Sequence, residues 1–166
     1  LEVNLEEAWV RVEPGVVLDQ LNDHLAAHDV FFAPNLSPSS RATLGGMIST
    51  DAAGKGSRVY GKTSEHVLEL RTVLVGGEVM ITGPQTEQAL NDQLAFEGTV
   101  GEAHRVVNEV ASTRAETIEA VFPRLRRFMT GYNLAGVRKD DAFDMNAILT
   151  GSEGTLGILT EAKLKI

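Results

Sequence analysis

ATLGGMISTDAAGKGSRVYG, running from Ala42 to Gly61, decides how the rest of the chain is read. Its five glycines are Gly45, Gly46, Gly54, Gly56 and Gly61, set among the hydroxyl side chains of Thr43, Ser49, Thr50, Ser57 and Tyr60. Gly45-Gly46 follows Thr43 directly, and no helix breaker intervenes before Gly54. The pattern predicts a tight turn opening into a short buried helix, with side chains missing where another backbone or a ligand approaches closely. A helix starting here would aim free N–H groups and the positive end of its dipole at an anion. The same glycines would also suit packing alone.

Two phosphate-binding patterns fail on this stretch. A Gly-x-x-x-x-Gly-Lys-Ser/Thr loop centred on Gly54-Lys55 would need glycine at 49 and a hydroxyl at 56, where Ser49 and Gly56 stand. A Gly-x-Gly-x-x-Gly dinucleotide fingerprint occurs neither here nor in GSEGTLG at 151–157. Any nucleotide is held in another way.

With 166 residues, 43% of them apolar and 23% charged, the chain has the size and composition of one soluble globular domain. Fifteen Lys plus Arg oppose 23 Asp plus Glu, a net charge of −8 that argues against nucleic-acid binding. Cysteine is absent, which leaves this segment without disulfides, iron–sulfur ligands or a cysteinyl flavin link. No apolar run approaches the roughly 20 residues of a membrane span, and Leu1-Glu2-Val3-Asn4 does not begin a signal peptide. A cytoplasmic setting is the expectation. The start, without Met and in mid-pattern, suggests a piece of something longer.

Taken in order, residues 8–12 alternate as a strand closed by Pro14-Gly15, and Leu18, Leu21 and Leu25 mark an amphipathic helix over 17–28. His24 and His28 on that helix, and His66 further on, read as surface or capping residues. Phe31-Phe32-Ala33 reads as a short buried strand. Thr63 is placed to cap a single turn. Residues 67–75 read as a strand with Leu68, Leu70 and Leu74 on one face. Gly76-Gly77 signals a two-residue hairpin, with 78–82 returning. Residues 84–148 read as a helical insert, in which Thr86 opens a helix and Thr99 with Glu102 forms a capping box. Its second helix would bury Val100, Ala103, Val106, Val107 and Val110, and Arg124, Arg126 and Arg127 cluster beside Phe128 where Pro123 can open a further helix, a solvated face or a dock for an acidic partner domain. Asp144 would cap a short helix over 143–149. In the last strand, Ile158, Thr160, Ala162, Leu164 and Ile166 share the buried face. Hairpins and helical excursions without a repeating βαβ unit predict an α+β fold, an antiparallel sheet with flanking helices.

Three blocks, PNLSPSSRATLGGMISTDAAGKGSRVYGKTSEHVLELRTVLVGGEVM at 34–80, TGYNLAGV at 130–137 and GSEGTLGILTEAKLKI at 151–166, resemble in order and separation the FAD-linked oxidases. These flavoproteins, with a PCMH-type FAD-binding domain, include D-lactate, glycolate and D-2-hydroxyglutarate dehydrogenases. Ser49 to Gly54, and the long insert before TGYNL, most resemble the large D-2-hydroxyglutarate dehydrogenase type that also carries an iron–sulfur region. Asp51 and Ala53 stand where most relatives have Asn and Gly. The resemblance implies the second FAD subdomain, with the first subdomain and the substrate domain outside this sequence. Carried over by motif, Pro34 and Ser37 would line the flavin side, and Thr43, Gly45, Gly46 and Ser49 would take the pyrophosphate and ribityl region. Gly54, Tyr60 and Gly61 would shape the wall beyond. Gly157 and Ile158 would meet the adenine end through backbone groups, placed by a turn at Glu153 and Gly154.

No catalytic triad, metal-ligand spacing or isolated carboxylate pair emerges, so no catalytic or metal-binding residue is assigned in this sequence, and the resemblance implies a base and carboxylate-binding residues outside it. The reaction implied is oxidation of a small D-2-hydroxy acid by hydride transfer to FAD. An aldonolactone or sugar-alcohol oxidase on the same scaffold is the rival, and a non-catalytic acidic interaction domain is another. A half-site of this kind would not hold FAD by itself, and its surface for the missing subdomain would favour self-association.

Overall fold

The computed structural model describes residues 1–123, 125, 131–139 and 141–166. Its main sheet has five strands in the order β1-β2-β8-β3-β4, all antiparallel. These are β1 (Glu2–Asn4), β2 (Trp9–Val12), β3 (Val67–Leu74), β4 (Val79–Thr82) and β8 (Gly157–Lys165). Between β2 and β3 lie α1 (Leu18–Ala26), α2 (Leu44–Ser49), α3 (Ser57–Tyr60) and a 3-10 turn at Thr63–His66. The excursion between β4 and β8 holds β5 (Pro84–Gln85), α4 (Glu87–Leu94), α5 (Thr99–Thr113), α6 (Ala115–Val121), β6 (Arg138–Lys139), β7 (Ala142–Asp144) and α7 (Asn146–Leu149). The α+β expectation holds. The insert is not wholly helical, because β5, β7 and β6 make a second, three-stranded sheet.

Apolar alternation places the core. Val10, Val12, Leu70, Met80, Ala162 and Leu164 from the sheet bury against Leu18, Leu21 and Leu25 of α1 and Leu44, Met47 and Ile48 of α2. From the insert, Leu90, Val100, Phe143, Ile148 and Leu149 extend the same cluster. On the other face of the sheet, Arg11 bonds the carboxylates of Glu69 (2.9 Å) and Glu161 (2.7 Å).

Two bulges change the predicted faces. Opposite β8, the register steps from Val67↔Leu164 to Glu69↔Lys163, so Leu68 is the extra residue and Val67 is buried in its place. Further along, Arg71 pairs with Glu161 and Thr72 with Leu159, leaving Thr160 unpaired in the ladder, its hydroxyl donating to the Arg71 carbonyl (3.0 Å). A bulge flips every later side chain to the opposite face. Leu159 therefore packs on the core, whereas Ile158 is 72% exposed.

Phe31-Phe32-Ala33 is not a strand. The Asn22 side chain takes the Phe32 backbone instead, its Oδ1 accepting from Phe32 N (2.8 Å) and its Nδ2 donating to Phe32 O (3.4 Å). Phe32 is buried and Phe31 half exposed. Gly76 and Gly77 adopt φ of +98° and +91°, as the hairpin requires. Thr63 begins its turn rather than capping it, and its hydroxyl donates to the Ala52 carbonyl (2.8 Å). Thr86 caps α4 through Ala89 N (3.3 Å). Asp144 Oδ1 caps α7 through Asn146 N (2.8 Å), although Phe143 lies in β7. Asn146 also accepts from Thr82 Oγ1 (2.6 Å) and donates to Leu68 O (3.2 Å), tying the end of the insert to the first bulge.

The Thr99–Glu102 capping box is replaced by a long-range cap. Glu78, just past the hairpin, accepts from Thr99 N (2.9 Å) and Val100 N (3.3 Å). The buried stripe of α5 is Val100, His104 and Ala111, with Val107 half-buried and Val106 exposed. His104, fully buried, donates from Nδ1 to the Val100 carbonyl (2.8 Å). The basic cluster Arg124, Arg126 and Arg127 lies outside the described residues. The two backbone bonds from Thr99 and Val100 lower the Glu78 carboxyl below its ordinary value. A lowered folded-state pKa contributes stability above the unfolded pKa that disappears as pH falls through the folded value. Glu78→Gln is expected to lower the urea midpoint at neutral pH, and the difference from the parent should shrink toward zero on acidification below the carboxylate range. A difference constant with pH would show that the carboxylate charge plays no part.

Candidate cofactor-binding site

The site is built on α2. Thr43, bridged to Val17, caps the helix by accepting Gly46 N on Oγ1 (3.2 Å). Leu44 N donates to Val16 O (2.8 Å), Gly45 N to Pro14 O (2.9 Å) and Met47 N to Thr43 O (2.9 Å). The first-turn donors are thus spent inside the chain, and the expected free N–H groups at this helix start are not there. The reason is the bridge to Val17, which lays the helix opening against residues 14–17. Gly45 is buried, and a Cβ on it would lie 2.5 Å from Pro14 Cβ. Gly46 is exposed, and a Cβ there would meet only Thr43 Oγ1, at 3.1 Å. Gly45 therefore serves packing, and Gly46 keeps the outer flank of α2 bare.

The far end of α2 receives the turn before β8. Gly151 N donates to Ile48 O (2.9 Å) and Glu153 N to Ser49 O (2.8 Å). Gly151, Glu153 and Gly154 all have positive φ (85°, 52° and 77°), which winds this turn tightly onto the helix. Glu153 and Gly154 are thereby brought beside Ser49, more than a hundred residues earlier in the chain.

A second surface begins where the chain leaves α2. Gly54 lies flat on the Asn35–Leu36 peptide: a Cβ would fall 1.4 Å from Asn35 O. This contact joins the loop carrying Pro34 and Ser37 to the loop carrying Gly54, Tyr60 and Gly61. Pro34 is buried and Ser37 exposed. Between the loops is a cleft of about 480 Å³ lined by Ser37, Pro38, Gly54, Lys55, Ser57 and Arg58. The backbone N–H groups of Leu36, Ser37, Gly54 and Lys55 have no hydrogen-bond partner among the described residues. Tyr60, further along the same loop, sets its ring edge-on to Phe31 (5.7 Å between centroids), and its carbonyl accepts from His66 Nε2 (2.7 Å). Gly61, at φ +79°, turns the chain back; a Cβ there would lie 2.4 Å from the Glu65 carboxylate.

Gly157 and Ile158 are held differently. They begin β8 opposite Leu74 and Val73, and no hydrogen bond among the described residues joins them to the cleft. Sequence reading missed Lys55 and Arg58, which supply local positive charge in an acidic chain. It noted Asp51 only as a departure, and missed its partner: the Asp51 carboxylate pairs with Lys62 Nζ and accepts from Ser64 N (2.9 Å). Opposite charges eleven residues apart in a glycine-rich loop give no periodic signal.

Uncommitted backbone donors, two cations and bare glycine surfaces suit a phosphate-bearing dinucleotide. Among the described residues no cluster of His, Cys, Asp and Glu could hold a metal ion, and no helix is long and apolar enough to cross a membrane.

The fold and this surface define a flavin-binding domain. Residues 1–83, half of the chain, match the FAD binding domain family, and the chain belongs to it. It is 53% identical over 167 residues to a D-2-hydroxyglutarate dehydrogenase of Pseudomonas putida, covering 100% of this chain and 17% of that protein. A D-2-hydroxyglutarate dehydrogenase of Escherichia coli is 50% identical over 168 residues, covering 100% of this chain and 16% of that protein. The chain thus spans about a sixth of the length of these relatives. Among solved structures, an alkyldihydroxyacetonephosphate synthase shares the fold, with a TM-score of 0.57 and 21% identity over 99% of this chain and 20% of that one. The family match ends at Gly83, where the insert begins.

Proposed function

We propose that this chain is the second FAD subdomain of a longer oxidoreductase that oxidises a D-2-hydroxy acid of the lactate, glycolate or 2-hydroxyglutarate class. The observation that carries the reading is that the separated segments 34–38 and 151–154 both pack on the 43–61 stretch, the first at Gly54 and the second at Ile48 and Ser49. Identity of 50% or more to two D-2-hydroxyglutarate dehydrogenases along the whole chain supports the substrate class. FAD, when bound, supplies the hydride acceptor. This chain's residues hold and orient it: N–H groups of Leu36, Ser37, Gly54 and Lys55 for anionic oxygens, the bare flank at Gly46 for the cofactor chain, and the Glu153–Gly154 turn beside Ser49 as a second wall. The base and the substrate-carboxylate ligands belong to the substrate domain. The enzyme is cytoplasmic in this reading. The row Ile158, Val73 and Val79, in which Ile158 and Val79 are exposed and Val73 is half-buried, is the surface through which an isolated piece would self-associate.

The test uses the full-length protein. Anaerobic addition of D-2-hydroxyglutarate is expected to bleach the flavin, and the L-enantiomer is not. Gly46→Val should raise the FAD dissociation constant by about tenfold or more, roughly 1.4 kcal/mol, with an unchanged fold. Purified Gly46→Val carrying the parent's flavin content would refute the placement of the cofactor along α2.

A further inference from the structure

The loop carrying the cleft is closed at its base by charge. Asp51 follows α2 at φ +45°, a left-handed conformation that Asp tolerates better than most residues. Its carboxylate and the Lys62 ammonium form an ion pair whose side chains are each only 12% exposed. The other carboxylate oxygen accepts from Ser64 N (2.9 Å). Directly beside the pair, Thr63 donates to the Ala52 carbonyl from both its N–H (3.1 Å) and its hydroxyl (2.8 Å). Residues 53–61, with Gly54, Lys55, Arg58, Tyr60 and Gly61, hang from this closure. The Asp51 Cβ also lies 3.4 Å from the position a Cβ on Gly151 would take, so the same residue abuts the turn that packs on Ser49.

A largely buried ion pair is a weak source of net stability, because desolvation of both charges offsets their attraction. An apolar pair of similar volume would close the loop as firmly. What the ion pair adds is direction: a carboxylate with one oxygen fixed by Ser64 N and the other by Lys62 sets the loop in one orientation. We infer that Asp51 and Lys62 are a positioning pair that holds the 53–61 loop against the 34–38 loop and so fixes the cleft and its N–H donors in their cofactor-binding arrangement. This rests on the reading of the surface as the FAD site. Neither residue is assigned contact with FAD.

The experiment compares Asp51→Asn, Lys62→Met, Lys62→Arg and the double variant Asp51→Asn/Lys62→Met in the full-length protein. Three quantities are read: the FAD dissociation constant, the urea midpoint of the flavin-free protein, and the rate of tryptic cleavage after Lys55 and Arg58. Lys62→Met strands a buried carboxylate, and a tenfold or greater rise in the FAD dissociation constant is expected, with faster cleavage in the loop. Lys62→Arg should recover most of both. The double variant should bind FAD more tightly than Lys62→Met, because the stranded charge is gone. FAD affinity of Lys62→Met within twofold of the parent, with or without a lowered midpoint, would overturn the inference and leave the pair purely structural. Lys62→Arg binding as poorly as Lys62→Met would overturn it too. Should Lys62→Met not fold, Asp51→Asn alone decides, with the same tenfold criterion. Failure of the parent protein to bind FAD would instead sink the reading of the site, independently of the pair.

Discussion

Gly54→Ala should displace the 34–38 loop and abolish FAD retention. An added Cβ would lie 1.4 Å from the Asn35 carbonyl oxygen, 2.6 Å from its carbon and 3.3 Å from Leu36 Cα. These are backbone atoms, and Cβ position is set by the backbone itself, so no rotamer relieves the clash. Overpacking of a closely packed site costs about 1–3 kcal/mol and occasionally more; a backbone collision belongs at the upper end, about 3 kcal/mol. That loss would be read as a lower urea midpoint of the flavin-free protein. Gly15→Ala is the control: nothing lies within 4 Å of a Cβ there, and an effect below about 0.5 kcal/mol is expected. If Gly54→Ala retained the parent's flavin and midpoint, the contact joining the two loops would be wrong, and with it the cleft.

Leu164→Ala is the second large effect. Leu164 is fully buried in β8, between Val10 of β2 and Val67 of β3. Truncation leaves a cavity in the centre of the sheet's inner face, and about 2–5 kcal/mol is expected. Ile158→Ala, in the same strand, should cost less than about 0.5 kcal/mol because that side chain is 72% exposed. Lys163 stands between these cases, since its ammonium lies 4.2 Å from the centroid of the Trp9 ring; its removal should cost about 0.5–1 kcal/mol. Denaturant midpoints of the three variants check the bulge at Thr160 directly. Equal losses for Leu164→Ala and Ile158→Ala would mean an unbroken alternation through β8.

Legibility in the sequence follows from the range of the interactions. Elements governed by near neighbours are read correctly: the Leu18, Leu21 and Leu25 stripe, the short helix opening after Thr43, the Gly76-Gly77 hairpin and the Thr86 cap. Elements governed by distant partners are not. The N-terminus of α5 looks self-capped through Thr99 and Glu102, yet Glu78, some twenty residues back, takes those N–H groups because the β3–β4 hairpin delivers it there. Phe31 to Ala33 has strand composition, yet Asn22 supplies its backbone partners.

For the site, the class was legible in the amino-acid sequence through the resemblance of 34–80, 130–137 and 151–166 to FAD-linked oxidases, whereas the glycine and hydroxyl pattern of 42–61 alone would also have suited packing. Only the tertiary structure decided which groups are available. It consumed the donors at the start of α2 through Val16 and Pro14, left those of Leu36, Ser37, Gly54 and Lys55 without a partner among the described residues, and closed the loop with Asp51 and Lys62. The physical reason is that residue pattern encodes local backbone preference, whereas satisfaction of a hydrogen-bonding group depends on what the folded chain brings within about 3 Å of it.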